Sequence, residues 1–412
     1  MFFIYNLLGN IILLLSPAII AYRCMIGKED PKRFTERYCK YKEAQNKAPL
    51  VWIHTASVGE MMSIIPILKK LESNKKIKKI LLTSTTTSSA NIFLKFKFKK
   101  TIHKYFPIDT DLFSNKFINF WNPKIAIFVE SEVWPNMIKN LKLKKIPIIL
   151  INARITKKSF DKWIKLKKFS KSIFGKINLA LPQNKETSKY LKSLGVRNVR
   201  FCGNLKYYDN KYKKDKKNFT NSKLKNYKVW CAASTHHNEE IIIGNIHKKL
   251  KRKIKNILTI IIPRHIKRTK SIENQLREID LKVQTHSQDK KIKDKIDIYL
   301  VDSFGINKSF YQLSNITFMG GSLIPHGGQN PLEPARLSNF IIHGAYIKNF
   351  TEVYSYLKKQ KISLMTNSSL DIEKIVYEKI NKRVSISKIN KINDLGDKVL
   401  KKNLSELNNY IK

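Results

Sequence analysis

The stretch Ile316-Thr-Phe-Met-Gly-Gly-Ser-Leu-Ile-Pro-His-Gly-Gly-Gln-Asn-Pro-Leu-Glu-Pro-Ala335 decides the fold, because it reads in succession as a strand, a glycine turn and a helix start. Ile316 to Met319 is a short apolar run that suits a buried strand. Gly320 and Gly321 let the backbone turn sharply and approach a ligand closely. Asn330 reads as an N-cap, Pro331 as the first helical position and Glu333 as the capping-box residue three places after the cap. Four of the chain's 14 glycines lie here. A helix N-terminus facing a glycine turn favours a phosphate. An ordinary turn with a self-satisfied capping box is the other reading, and it can coexist with binding.

The same strand-then-helix alternation extends outward in both directions, which indicates an α/β chain with parallel sheets. One series of apolar runs comprises Val51–His54, Ile80–Thr83, Ile125–Val129, Ile146–Ile151, Ile177–Leu181 and Val199–Cys202. A second comprises Val229–Ala233, Ile257–Ile262, Ile296–Val301, Ile316–Met319, Phe340–Ile342 and Ile362–Met365. Between them Tyr207 to Tyr227 is rich in Lys, Asn and Asp, and reads as a linker. The expected organisation is therefore an anchor at 1–22, an N-terminal Rossmann-like domain at 23–206, a linker at 207–227, a C-terminal Rossmann-like domain at 228–390 and a closing amphipathic helix at 391–412. Such doubly wound sheets hold ligands at the carboxyl ends of their strands. In the first half those ends carry Glu60, Glu130, Glu132, Arg154 and Lys206. In the second they carry His236, Arg264, His265 and the glycine loop, with few acids. Acceptor chemistry is thus expected on the N-terminal half and an anionic donor on the C-terminal half.

With 412 residues the chain is long for one core, at roughly 150 residues per domain. Its 80 Lys+Arg against 31 Asp+Glu give a formal charge of +49. The excess is mostly lysine scattered along the chain, with no compact basic motif interleaved with aromatics, so an anionic membrane surface is the expected partner and nucleic acid is not. Phe2 to Tyr22 is strongly apolar, and about twenty residues suffice to cross a bilayer. Arg23, Lys28, Lys32, Arg33 and Arg37 follow and place the rest of the chain in the cytoplasm by the positive-inside tendency. Asn6, Asn10 and Pro17 weaken the span, so a helix lying in the interface stands as the alternative. Cys24, Cys39, Cys202 and Cys231 have no C-x-x-C spacing and no histidine grouping, as expected of small apolar residues in a reducing compartment.

The motifs Trp52-Ile-His-Thr-Ala-Ser-Val-Gly-Glu60, Glu130-Ser-Glu-Val-Trp-Pro-Asn136, Asn152-Ala-Arg154, Gly203-Asn-Leu-Lys206, Ala232-Ala-Ser-Thr-His236, Pro263-Arg-His265 and Gly320 to Ala335 resemble, in order and spacing, those of 3-deoxy-D-manno-octulosonic acid (Kdo) transferases. The resemblance implies a GT-B glycosyltransferase: two Rossmann-like domains facing a central cleft, with an N-terminal anchor at the inner membrane and the catalytic domains on its cytoplasmic side. It would move Kdo from CMP-Kdo to a lipid A precursor. Two departures stand out, Gln329 where the family usually has His and His237-Asn238 in place of a Glu-Gly pair.

On this resemblance Glu60 is the expected general base, with a dipole-stabilised helix-start Glu as the bland alternative. Glu130 would stabilise positive charge on the sugar in the transition state or orient the acceptor, with Glu132 as a second candidate. Lys206 would meet the departing phosphate or the Kdo carboxylate. Pro263, Arg264, Phe304, Gly305, Ile306, Asn330, Pro331, Leu332 and Glu333 are expected to bind CMP, and Gly321 and Ser322 to contact the donor. His326 and His265 are left outside catalysis. No aspartate pair is arranged for a divalent metal, so metal-independent transfer without a cofactor is expected. A GT-B enzyme with a UDP-sugar donor and a non-catalytic basic membrane or nucleic-acid binding protein are the alternatives.

Overall fold

A computed structural model of the chain describes residues 1–45, 48, 50–208, 227–289, 291–293, 295–303 and 305–411. Two compact units emerge, residues 1–210 with 395–412, and residues 211–394. Most of the expected linker, and Phe304 among the expected CMP contacts, lie outside the described residues.

The first unit is built on β1 (Leu50–Thr55), β2 (Ile80–Ser84), β3 (Thr101–Tyr105), β4 (Pro123–Val129), β5 (Ile148–Ala153) and β6 (Leu179–Pro182), a parallel sheet in the order β3-β2-β1-β4-β5-β6. Its central strands are continuous apolar runs because helices cover both faces. Neighbouring residues serve opposite faces: Trp52 and Phe128 pack with Phe117 and Phe174 on one side, whereas Ile53 and Ile127 pack with Ile64 and Leu68 on the other. β3 was not expected, since Thr101-Ile-His-Lys-Tyr105 is too polar to read as a strand. Its polar groups are satisfied from elsewhere: His103 bonds Ser84 Oγ at 2.9 Å, Lys104 meets Glu36 at 3.3 Å, and the Tyr105 N–H donates to Glu36 at 2.8 Å. The expected strand Val199–Cys202 is absent, and Val199 makes an isolated bridge to Ala180.

The second unit holds β7 (Lys228–Thr235), β8 (Ile257–Pro263), β9 (Val283–Thr285), β10 (Ile298–Leu300), β11 (Ile316–Met319), β12 (Phe340–His343) and β13 (Ser363–Met365), parallel in the order β13-β12-β11-β7-β8-β10-β9. The winding direction reverses between β1 and β4 in the first sheet and between β7 and β11 in the second. Those are the places where open α/β sheets leave a crevice for ligands.

The N-terminal helix runs from Phe2 to Met25, past the expected end at Tyr22, with Pro17 inside it. It is long and apolar enough to cross a membrane by length and composition. Ser16 and Ile20 are buried, while Phe3 and Leu14 are 78% and 81% exposed. Three of the five basic residues that follow are in ion pairs, Arg23 and Arg37 with Glu29 and Arg33 with Glu36. The last helix starts at Ile386 rather than 391, leaves the second unit and returns to the first. There Val399, Leu400 and Leu407 enter the core. The returning chain comes so close that a Cβ on Gly396 would collide with the Tyr207 carbonyl, and one on Gly203 would press on Val399.

Candidate active site

Glu60 lies in the first turn of the helix Val58–Ser73 that follows β1, and Glu130 comes directly after β4, so the two carboxylates flank the point where the first sheet reverses. Ser57 is the N-cap. Its hydroxyl accepts the Glu60 N–H at 3.3 Å and donates to Glu60 Oε1 at 3.0 Å, while the Ala56 N–H donates to Oε2 at 2.7 Å. This is a variant of the capping box, with the Ala56 amide in place of the N-cap's own, at the helix start where the dipole-stabilised reading of Glu60 placed it. The box does not make the carboxyl a weak base. Burial dominates and pushes its pKa up to about 7, the Ala56 N–H opposes the rise, and the nearby Glu132 and Glu130 carboxylates reinforce it.

Glu130 sits at φ 57°, in the left-handed region that costs a non-glycine residue about 1–2 kcal/mol. Two bonds to the neighbouring strand hold it there, from its N–H to the Ile151 carbonyl at 3.0 Å and from the Arg154 N–H to its carbonyl at 3.2 Å. The turned side chain meets Lys206 Nζ at 2.7 Å. Asn152, itself at φ 49° on a bulge of β5, donates to Glu130 at 3.4 Å and accepts the Leu205 N–H at 3.0 Å. Three separate motifs, at 130, 152 and 206, thus become one cluster. Glu132 is committed elsewhere: it accepts from the Trp134 indole at 2.9 Å and faces His54 Nε2 at 3.3 Å, with His54 Nδ1 2.9 Å from Thr83. Burial lowers the His54 pKa while Glu132 opposes the fall, and the ring links the Glu132 loop to β2. The sequence reading passed over His54 because it sits inside a strand.

In the second unit Pro263 and Arg264 end β8, Gly305 and Ile306 follow β10, and Asn330 to Glu333 close the loop after β11, all at the carboxyl edge of that sheet. The glycine loop departs from expectation in two ways. The helix after it is one turn, Leu332–Arg336, with Pro331 as N-cap and the Asn330 side chain accepting the Leu332 N–H at 3.1 Å, so the box drawn from Asn330 to Glu333 is not formed. The amides expected to touch the donor are also occupied. Glu239 accepts from the N–H groups of Gly321 at 2.7 Å, Ser322 at 3.1 Å, Leu323 at 3.1 Å and His236 at 2.9 Å. An internal carboxylate fills the anion nest that was expected to cradle a phosphate. Burial raises the Glu239 pKa and the four donors oppose it.

Gly320 is needed because a Cβ there would strike the Ser234 carbonyl, and Gly321 adopts φ 64°. His236, His265 and His326 gather beside this loop, with ring centroids 4.0 Å apart for His236 and His326 and 5.9 Å for His236 and His265. Burial, then the other two imidazoles, lowers the His236 pKa to about 4. Gln329 Nε2 approaches His236 Nε2 at 3.4 Å. Asn238, one of the departures from the family pattern, stands at φ 72°, a conformation Asn tolerates better than most residues. Among the described residues no three His, Cys, Asp or Glu gather as a metal site.

Two parallel α/β units of this kind, one edged by acids and one by a glycine loop, define the GT-B class of fold. Solved structures share the fold: UDP-GlcNAc 2-epimerase from Neisseria meningitidis bound to UDP-GlcNAc, at 13% identity over 87% of this chain and all of that one (TM-score 0.58), and a glycosyltransferase from Rickettsia africae, at 13% identity over 89% of this chain and all of that one (TM-score 0.56). Residues 32–209 match the family described as 3-deoxy-D-manno-octulosonic-acid transferase (kdotransferase). The chain is 34% identical to the 3-deoxy-D-manno-octulosonic acid transferase of Rickettsia bellii over 90% of its own length and 88% of the relative's. It is 30% identical to that of Haemophilus influenzae, over 97% and 95%. The chain belongs to the Kdo transferase family.

Proposed function

We propose that the chain transfers Kdo from CMP-Kdo to the lipid A precursor lipid IVA, with inversion at the anomeric carbon and Glu60 as general base. The observation that carries this reading is a buried Glu60 whose pKa lies near 7, at the same sheet edge as the Glu130–Lys206 pair. A base poised near the working pH is both deprotonated often enough and basic enough to take a proton. The acceptor hydroxyl oxygen bonds to the anomeric carbon of Kdo, its proton passes to Glu60, and the bond from that carbon to the CMP phosphate oxygen breaks. CMP leaves with the electron pair. Lys206 offsets the charge of the Kdo carboxylate or the leaving phosphate, and Glu130 both holds Lys206 and faces positive charge developing on the sugar. In the second unit Arg264, Gly305, Ile306 and Asn330 to Glu333 are the proposed CMP contacts. Because the Gly321 and Ser322 amides are engaged by Glu239, we assign these two residues to shaping the loop rather than to phosphate binding.

The N-terminal helix, with its exposed apolar face, attaches the chain to the inner membrane, with the catalytic units on the cytoplasmic side where nucleotide sugars are found. The charge of +49 adds attraction to anionic lipid. Incubation with CMP-Kdo and tetraacylated lipid A precursor, followed by mass analysis of the lipid, tests the reaction. Each added sugar should appear as a fixed mass step, and no step refutes it. Co-sedimentation with anionic vesicles should decline as salt rises, and failure to bind them refutes the attachment.

A further inference from the structure

The N-terminal helix is seated on the first unit along one stripe. Phe2 stacks edge-on against Phe169, with ring centroids 5.1 Å apart. The Tyr5 hydroxyl donates to Asp109 Oδ2 at 2.8 Å, Gly9 lies against the Asp109 carbonyl, and Ser16 Oγ shares a 2.8 Å hydrogen bond with the Tyr38 hydroxyl. Asp109 is itself buried, just beyond β3, and it has a second task. The helix Pro135–Leu143 has no side-chain cap from its own N-cap residue, Trp134. Asp109 caps it from outside: Oδ2 accepts the Asn136 N–H at 3.1 Å, Oδ1 accepts the Met137 N–H at 2.8 Å, and its carbonyl accepts from the Asn136 side chain at 3.0 Å. One carboxylate oxygen therefore joins the membrane-side helix to the helix start that ends the Glu130 to Trp134 loop.

We propose that Asp109 is a positioning residue for that loop and that Tyr5, by bonding the same oxygen, couples the seating of the N-terminal helix to the placement of Glu130 and Glu132. The helix is then a working part of the acceptor side as well as an attachment. Its outer apolar face is free for lipid while its inner stripe holds the capping carboxylate in place. The inference rests on the role of Glu130 given above, holding Lys206 and facing the positive charge that develops on the sugar. A charged N-terminal cap contributes both hydrogen bonds and favourable interaction with the helix dipole, so loosening it releases the first turn.

Tyr5→Phe removes one hydroxyl and leaves the apolar contacts. The expected result, with detergent-dispersed acceptor so that membrane delivery is not limiting, is a fall of about tenfold in kcat/KM for the acceptor, an unchanged KM for CMP-Kdo and unchanged vesicle binding. Amide hydrogen exchange supplies a readout independent of turnover: the 135–143 segment should exchange faster in Tyr5→Phe while the segment 123–129 stays as in the parent. Asp109→Asn should reproduce and exceed both effects, and the double variant should add little to Asp109→Asn alone. Unchanged exchange in Tyr5→Phe overturns the coupling, as does a tenfold rise in the KM for CMP-Kdo at unchanged kcat. A parent chain that makes no Kdo-lipid overturns the reaction instead, and the exchange measurement still decides the coupling.

Discussion

At the scale of single residues, Glu60 carries two signatures that pull in opposite directions, a capping box and a pKa near 7. Burial wins, since the box supplies two donors to a carboxyl that is only 8% exposed and shares its surroundings with two more acids. Glu60→Gln should lower turnover by about 10²–10⁴-fold while CMP still binds, read by single-turnover transfer and calorimetric titration. In the parent, kcat/KM should fall on acidification below pH about 7, as the base takes up its proton. The same shift sets a stability trend. A folded value above the ordinary 4.5 means that the folded chain holds the proton more tightly, so this group's cost is absent below pH 4.5 and fully present above pH 7. Glu60→Gln should therefore be more stable than the parent at pH 8, by about 3 kcal/mol in unfolding free energy, with the gap closing near pH 4. Lys206→Met leaves the Glu130 carboxylate buried without its cation. Saturating kcat should fall by about 10²-fold, with a lower melting temperature from the unpaired charge.

At the scale of elements, the glycine loop and the acidic loop are both held by carboxylates that lie far from them in sequence. Glu239 ties the turn after β11 to the start of the helix Glu239–Lys251, and Asp109 caps the helix after the acidic loop. Glu239→Ala would orphan four N–H donors, three of them buried, at about 1–3 kcal/mol for each buried one before relaxation. Differential scanning calorimetry should show a drop of many degrees, and titration should show weakened CMP binding. Glu239→Gln, which keeps an acceptor, should lose less. The central strands were legible from their apolar runs, because a strand covered on both faces must be apolar throughout. β3 and β9 were not. The first is polar and satisfied by Glu36, Ser84 and neighbouring strands, and the second has three residues, too few for a period to show. The capping box from Asn330 to Glu333 was read from a local pattern that the chain does not use, since Pro331 takes the N-cap place and the helix ends after one turn.

At the scale of the whole molecule, the last eighteen residues, 395–412, belong to the unit that the chain began with. Val399, Leu400 and Leu407 sit among the aliphatic residues beneath the first sheet, and burial of such side chains contributes roughly 1.5–3 kcal/mol each. A chain ending at Asp394 should therefore lose cooperative unfolding of the first unit, seen as rapid digestion of residues 50–208 in limited proteolysis while residues 228–394 resist. Resistance of both would show that the closing helix is dispensable. The sequence by itself determined the α/β class, two sheets, the apolar N-terminal helix and the order of the family's motifs, because those features are written in local periodicity and in residue types near one another in the chain. Only the tertiary structure decided that Glu130, Asn152 and Lys206 form one cluster, that Glu239 occupies the nest of the glycine loop, and that Tyr5 and the Asn136 amide share one oxygen of Asp109. Each of these is a polar group whose partner lies tens of residues away, and burial demands that such a partner be found without the local sequence saying which one it is.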